Sequence, residues 1–131
     1  MPYLVNHIHI KVPDPESAAE WWAQAFNLKV VSDVVRPSGD RFIRCVSEGG
    51  LAINISGQRT GEKMGPADAN AHWGLEHFGF DSDDIEADII RLKGLGAELL
   101  EGPRGAVGEL RIAFLRTPSD VRIELIQQAA G

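Results

Sequence analysis

The sequence predicts an α+β fold built from two tandem β-α-β-β-β modules. Near the N-terminus, alternating polar and apolar residues give way to the three- and four-residue apolar spacing of a helix. The same change begins again at His77, and three strand-like segments follow each helical segment. We expect the modules at about residues 5–58 and 75–128 of a single domain spanning residues 1–131, with residues 59–74 as a connector.

The first module begins with the alternating segment "HIHIKV", which predicts a strand that ends near Val12. Asp14 is a suitable N-cap, Pro15 suits the first helical position, and Asn27 can end the helix after Phe26. The turn sequences "PSGD" and "EGG" then separate three predicted strands, Lys29 to Arg36, Arg41 to Ser47 and Leu51 to Ile55.

The second module repeats this order, beginning with a predicted strand from His77 to Asp81. A helix follows, with its cap at Asp83 or Asp84 and its end at Gly94 or Gly96. Three further strands are predicted, Ala97 to Glu101, Glu109 to Leu115 and Val121 to Gln127. Each module should therefore form a four-stranded sheet with one helix packed on it.

A single constant shift along the chain, the one that takes His7 to His77, relates the two modules without a gap. This repeat shift also takes Asn54 to Glu124. The four positions fall on the first and last predicted strand of each module. Equivalent strands should therefore present them at equivalent places.

Composition and charge exclude several classes of partner. The net charge of -6 provides no basic surface for a phosphate backbone, so nucleic acids and anionic membranes are not expected partners. No apolar run approaches the ~18 residues of a membrane span, which leads us to expect a cytoplasmic protein. The single cysteine, Cys45, cannot form an internal disulfide and lies in a strand-like segment, where an inert thiol is expected.

The polar faces of the predicted sheets are candidate functional surfaces. Alternation places His7, His9 and Lys11 on one side of the first strand and the apolar residues on the side that packs against the helix. If the two polar faces curl toward one another, His7, His77 and Glu124 converge, which is a donor set for a divalent metal. The alternative is an ordinary solvated sheet face.

Three segments resemble the vicinal oxygen chelate superfamily, which includes glyoxalase I, methylmalonyl-CoA epimerase, extradiol dioxygenases, fosfomycin-resistance proteins and bleomycin-binding proteins. They are "HIHIKVPDPESAAEWWAQAFNLKVV", "EHFGFDSDDIEADIIRLKGLGAELL" and "RIAFLRTPSDVRIELIQ". The resemblance implies the glyoxalase/bleomycin resistance/dioxygenase fold, in which the sheets curl around a cleft. It also implies His7, His77 and Glu124 as metal ligands, with Asn54 at the fourth place, where glyoxalase I and the epimerase have Glu or Gln.

The resemblance implies a divalent metal, either Ni, Co, Mn, Zn or Fe, acting as a Lewis acid on a small substrate chelated through adjacent oxygens. Asn54 is a neutral amide and cannot abstract a proton, which weakens a glyoxalase I mechanism with carboxylates on both sides of the metal. The candidate catalytic residues are Glu124 and His9. The candidate substrate-binding residues are Asn54, Lys11, Arg111 and Arg122, and His72 and Trp73 are candidates for covering the site.

Three functions remain open at this point. The first is a metal-dependent, glyoxalase-like lyase or isomerase, and the second is an Fe(II) extradiol-type dioxygenase that cleaves an aromatic ring. The third is a non-catalytic resistance protein that binds a small molecule or drug, although the ligand set His7, His77 and Glu124 counts against it. The resemblance also implies a homodimer, with the site formed within one chain or across two.

Overall fold

Two compact units make up the computed structural model, which describes residues 1–130. The first unit is Met1–Gly65 and the second begins at Pro66. The first contains β1 (His7–Lys11), α1 (Pro15–Phe26), β2 (Lys29–Val35), β3 (Arg41–Val46) and β4 (Ala52–Ser56). The second contains β5 (Phe78–Asp81), α2 (Ile85–Gly94), β6 (Glu98–Arg104), β7 (Arg111–Arg116) and β8 (Arg122–Gln127). The predicted pair of β-α-β-β-β modules is thus confirmed.

Each unit has a four-stranded sheet in which the first and last strands are neighbours. The strand orders are β1-β4-β3-β2 and β5-β8-β7-β6. The pairs β1 with β4 and β5 with β8 are parallel, and the remaining pairs are antiparallel. Residues directly opposite one another share a sheet face. In this register His9 lies opposite Asn54, and Gly79 lies opposite Glu124.

Both helices begin at an aspartate that caps them. The Asp14 side chain accepts a hydrogen bond from Ser17 N, and the Asp84 side chain accepts one from Ala87 N. These bonds assign the second cap to Asp84. At its other end α1 is closed by Asn27, whose φ of 57° lies in the left-handed region that Asn tolerates better than most residues.

The core of each unit lies between its helix and one face of its sheet. Trp22 of α1 is completely buried in the first unit, and Leu92 of α2 is completely buried in the second. Each large apolar side chain buried in this way contributes about 1.5–3 kcal/mol to folding. The sheets supply the isoleucine and leucine side chains Ile53, Ile55, Ile123 and Leu125. The helix packing leaves the opposite face of each sheet for polar residues.

The gap-free repeat that the sequence predicts is wrong at the start of β6. Lys29 of β2 pairs with Val46 of β3. The repeat shift therefore predicts that Leu99 of β6 pairs with Arg116 of β7. In the structure Glu98, one residue earlier, lies opposite Arg116. A second irregularity further along β6 restores the predicted relation at the end of the strand. The strands that carry the candidate ligands keep the predicted relation throughout.

Among the described residues, neither helix has the length and apolar composition required to cross a lipid bilayer.

Candidate metal and substrate site

The register of the first sheet orders its polar side chains into rows across the strands. His7 lies opposite Ala52 at one end of the sheet. The next row along contains His9, Asn54 and Arg44. Successive rows on one face are about 7 Å apart because strands rise about 3.3 Å per residue. The side chains at His9, Asn54 and Arg44 therefore lie one row from His7.

His7 is exposed, and one of its ring nitrogens is held by the residue before it. The Nδ1 atom is hydrogen-bonded to Oδ1 of Asn6, which is an acceptor, so Nδ1 carries the proton. When the ring is neutral, this arrangement leaves the lone pair on Nε2. A metal binds imidazole through such an unprotonated nitrogen.

In the second unit, His77 is held in the same way and lies beside a carboxylate. Its Nδ1 atom is 3.0 Å from Oε1 of Glu76, and its Nε2 atom is 3.5 Å from Oε1 of Glu124. The edge of the imidazole also packs at 5.0 Å, centroid to centroid, against Phe114 of β7. These contacts fix the ring plane and direct Nε2 toward the Glu124 carboxylate, whose side chain is 16% exposed.

The two histidines share an arrangement that recurs in the repeat. The shift that takes His7 to His77 also takes Asn6 to Glu76, and each preceding side chain engages Nδ1 of its histidine. Histidines that bind metals usually donate their second ring N–H to an oxygen in this way, which fixes tautomer and orientation. Sequence reasoning missed Asn6 and Glu76. Their position immediately before each candidate ligand was the signal available.

The donor set of the second unit suits a divalent metal. Two ligand atoms on one ion with bonds of about 2.0–2.2 Å stand roughly 3–3.5 Å apart, and His77 Nε2 and Glu124 Oε1 are separated by 3.5 Å. Within residues 1–130, the structure groups no three or more His, Cys, Asp or Glu side chains as a metal site. His7 belongs to the first unit, and His77 and Glu124 belong to the second.

His9 is bonded to a buried serine and has a lowered pKa. Its Nε2 atom is 2.6 Å from Oγ of Ser56, and its ring lies 5.3 Å from that of Phe42. Desolvation is the largest cause that lowers the pKa of His9, followed by the positive charges of Lys11 and Arg36. The imidazole is therefore held neutral at a pH where an ordinary histidine begins to take up a proton.

Asn54 carries a buried acceptor that lacks a partner. The residue is 6% exposed, and its Oδ1 atom has no hydrogen-bond partner among the described residues. Buried polar atoms are nearly always paired, and leaving one unpaired costs about 1–3 kcal/mol. The Asn54 oxygen is therefore free to accept a hydrogen bond from a bound group or to contact a cation.

Lys11 is neutralised by a carboxylate from the predicted connector. Its ammonium group forms an ion pair with Glu62, which also accepts hydrogen bonds from the backbone and the guanidinium of Arg59. Hydrogen bonds from Arg59 and then Lys11 lower the pKa of Glu62 to about 2. Lys11 therefore offers less charge to a ligand than a free lysine would.

The two candidate arginines of the second unit lie on opposite faces of its sheet. Arg122 is 7% exposed on the polar face, where it pairs with Glu101 and lies 3.4 Å from Oε1 of Glu76. Arg111 contacts Glu86 of α2 at 3.0 Å, on the face that packs against the helix. The expectation that Arg111 faces the polar side is thus wrong, because its strand phase directs it to the helix.

The histidine of the connector is held against backbone carbonyls. His72 Nδ1 is 2.7 Å from the Asn70 carbonyl oxygen, and Nε2 is 3.0 Å from the Leu75 carbonyl oxygen. These bonds raise the pKa of His72, because only the imidazolium can donate to both carbonyls. Trp73 beside it is 98% exposed.

Comparisons with known proteins agree with this architecture. The model of the Glyoxalase/Bleomycin resistance protein/Dioxygenase superfamily matches residues 4–125. No curated protein matches the chain. Among solved structures, a glyoxalase family protein from Bacillus cereus has a TM-score of 0.83 at 18% identity, with 98% of this chain and 97% of that chain covered.

Two other similar solved structures are of a metal-bound resistance protein variant and an antibiotic binding protein. A mutant of the fosfomycin resistance protein FosX from Listeria monocytogenes, complexed with Mn(II) and 1S,2S-dihydroxypropylphosphonic acid, has a TM-score of 0.71 at 17% identity, covering 98% of this chain and 95% of that chain. TnmS3, an antibiotic binding protein from a Streptomyces species, has a TM-score of 0.68 at 20% identity, covering 98% of both chains. At these identities the likeness concerns the fold.

Proposed function

Because the chain belongs to the Glyoxalase/Bleomycin resistance protein/Dioxygenase superfamily, we propose that it is a divalent-metal-dependent enzyme. The proposed reaction is that of a glyoxalase-like lyase or isomerase on a small substrate bound through adjacent oxygens. The proposed metal ligands are His7, His77 and Glu124. The observation that carries the proposal is the repeated orientation of the two histidines, each with Nδ1 engaged by the preceding side chain and Nε2 left as the ligand atom.

The bound ion would supply Lewis-acid stabilisation of a developing enolate or oxyanion, an effect worth several kcal/mol. Glu124 contributes a carboxylate with one oxygen facing His77 Nε2. A second carboxylate oxygen is then available to hold or accept a proton. His9, one row from His7 on the same face, is the proposed second proton acceptor or orienting group.

Three further side chains are proposed to bind substrate. Asn54 supplies an unpaired amide oxygen that can accept a hydrogen bond but no proton. Lys11 and Arg122 are each paired with a carboxylate, so they are proposed to contribute hydrogen bonds and orientation rather than net charge.

Mn(II) is the first metal to test because the FosX neighbour is complexed with it. Ni, Co, Zn and Fe remain candidates, since two imidazoles and one carboxylate accommodate each of them. The same donor set favours a second candidate function, an Fe(II) extradiol-type dioxygenase, because two histidines and one carboxylate are the ligands of many non-haem iron oxygenases. The structural similarity to the antibiotic binding protein TnmS3 supports a third candidate, a drug-binding protein.

Metal analysis of variants tests the proposal. Purified protein and the variants His77→Ala, Glu124→Ala and His72→Ala are loaded with Mn(II) or, without oxygen, with Fe(II), and their metal content is measured. We expect the first two variants to lose metal and the His72→Ala control to retain it. Unchanged metal in His77→Ala would remove the site. Oxygen uptake with a catechol only in the iron form would favour the dioxygenase, whereas tight drug binding without metal would favour the binding protein.

We further propose that the chain forms a homodimer, with the site formed within one chain or across two. Sedimentation equilibrium gives the oligomeric state. Mixing His7→Ala with His77→Ala protein then distinguishes the two arrangements. Partial recovery of metal binding in the mixture is expected only if ligands come from two copies.

A further inference from the structure

The first sheet presents a positive charge beside the unpaired amide of Asn54. Arg44 lies directly opposite Asn54 in the β3 and β4 register, with Cβ atoms expected about 4.5–5.5 Å apart. No carboxylate within residues 1–130 forms an ion pair with Arg44. Its guanidinium stands 5.1 Å from the centroid of the Phe42 ring.

The other cations of this face, Arg36 and Lys11, each pair with a carboxylate. Arg36 lies over the same Phe42 ring at 4.3 Å, but it is paired with the fully buried carboxylate of Asp40. Lys11 is paired with Glu62. Arg44 is therefore the cation of this face that has no carboxylate partner within residues 1–130, and the aromatic ring beneath it limits the directions in which the guanidinium can point.

The equivalent positions of the second sheet carry one negative charge and no positive charge. The repeat shift places Phe114 at the position of Arg44 and Glu124 at the position of Asn54. A ligand carboxylate would be attracted by the guanidinium of Arg44, and the second sheet has no such cation at the equivalent position, which is occupied by Phe114.

We propose that Arg44 and Asn54 form a subsite for a small hydroxylated carboxylate, with the guanidinium binding the carboxylate and the Asn54 amide oxygen accepting a hydrogen bond from the hydroxyl group. A guanidinium presents paired N–H donors that match a carboxylate, and a buried amide oxygen requires a donor, which an α- or β-hydroxyl group supplies. The proposal deepens the proposed function by naming its substrate class, and it rests on that function for the metal one row away at His7.

Binding of glycerate to metal-free protein tests the subsite. DL-glycerate, glycerol and propionate are titrated at low ionic strength into wild-type, Arg44→Met, Asn54→Val and Arg104→Met protein, with NMR chemical shifts as the readout. Arg44→Met keeps a side chain over Phe42 and removes the charge. Arg104→Met removes a charge from the exposed edge strand β6 and serves as the matched control.

We expect glycerate to bind wild-type protein more tightly than glycerol or propionate. Its affinity should fall at least about tenfold in Arg44→Met and in Asn54→Val, and stay unchanged in Arg104→Met. No glycerate binding by wild-type protein, equal binding by Arg44→Met, or an equal loss in Arg104→Met would overturn the subsite. Because the assay uses metal-free protein, loss of the subsite and loss of the metal site are separate results.

Discussion

Replacing Asn54 by valine should stabilise the protein while removing a ligand contact. The amide oxygen is buried without a partner, and such an atom costs about 1–3 kcal/mol. Valine removes that atom, fills most of the side-chain volume and suits a central strand better than asparagine. Allowing for small packing losses, we expect the free energy of unfolding to rise by about 1–2 kcal/mol in metal-free Asn54→Val protein.

Urea unfolding of metal-free protein measures this change, and Ser56→Ala provides a matched control. Ser56 lies two positions further along the same strand and is also buried, but its hydroxyl is bonded to His9 at 2.6 Å. Its loss should destabilise the protein by about 1 kcal/mol, so the two variants should change stability in opposite directions. If Asn54→Val lowers stability by about 1 kcal/mol or more, the amide already has a partner and the argument for a ligand fails.

Three further changes test other parts of the molecule. Glu76→Ala removes the acceptor for His77 Nδ1, so Mn(II) affinity by calorimetric titration should fall about 10–100-fold, and Glu76→Gln should recover part of it. The lowered pKa of Glu62 stabilises the folded state fully above about pH 4.5 and progressively less as the pH falls toward 2, so the stability difference between wild type and Glu62→Gln should shrink over that range in urea unfolding. Asp120→Gly should raise the free energy of unfolding by about 0.5–1 kcal/mol, because Asp120 has a φ of 55°, and Asp120→Ala should not.

The sequence could predict those parts of the site that follow from strand phase. On β8 the buried apolar side chains Ile123 and Leu125 alternate with Arg122 and Glu124, so the face occupied by Glu124 was determined by which residues must be buried. His77 and Glu124 indeed lie within 3.5 Å of each other in the second unit. Hydrophobic contrast between the two faces made this prediction possible.

On β3 and β7 the sequence does not show clearly which side chains face the helix, because both faces of those strands carry large apolar residues. Phe42 and Phe114 lie on the polar faces, where they support Arg44 and His77 rather than the core between sheet and helix. With apolar residues on both sides, alternation no longer distinguishes the faces. Arg111 was consequently assigned to the wrong side, and Arg44 was overlooked.

The two halves of the proposed metal site should differ in strength, because their orienting oxygens differ in charge. Glu76 offers His77 a carboxylate, whereas Asn6 offers His7 a neutral amide. A carboxylate partner raises the basicity of a ligating imidazole more than an amide does. The second unit also supplies Glu124, so it holds two of the three proposed ligands and the better donor. His77→Ala should therefore weaken Mn(II) binding more than His7→Ala, and the reverse order would mean that the orienting residues do not control the metal.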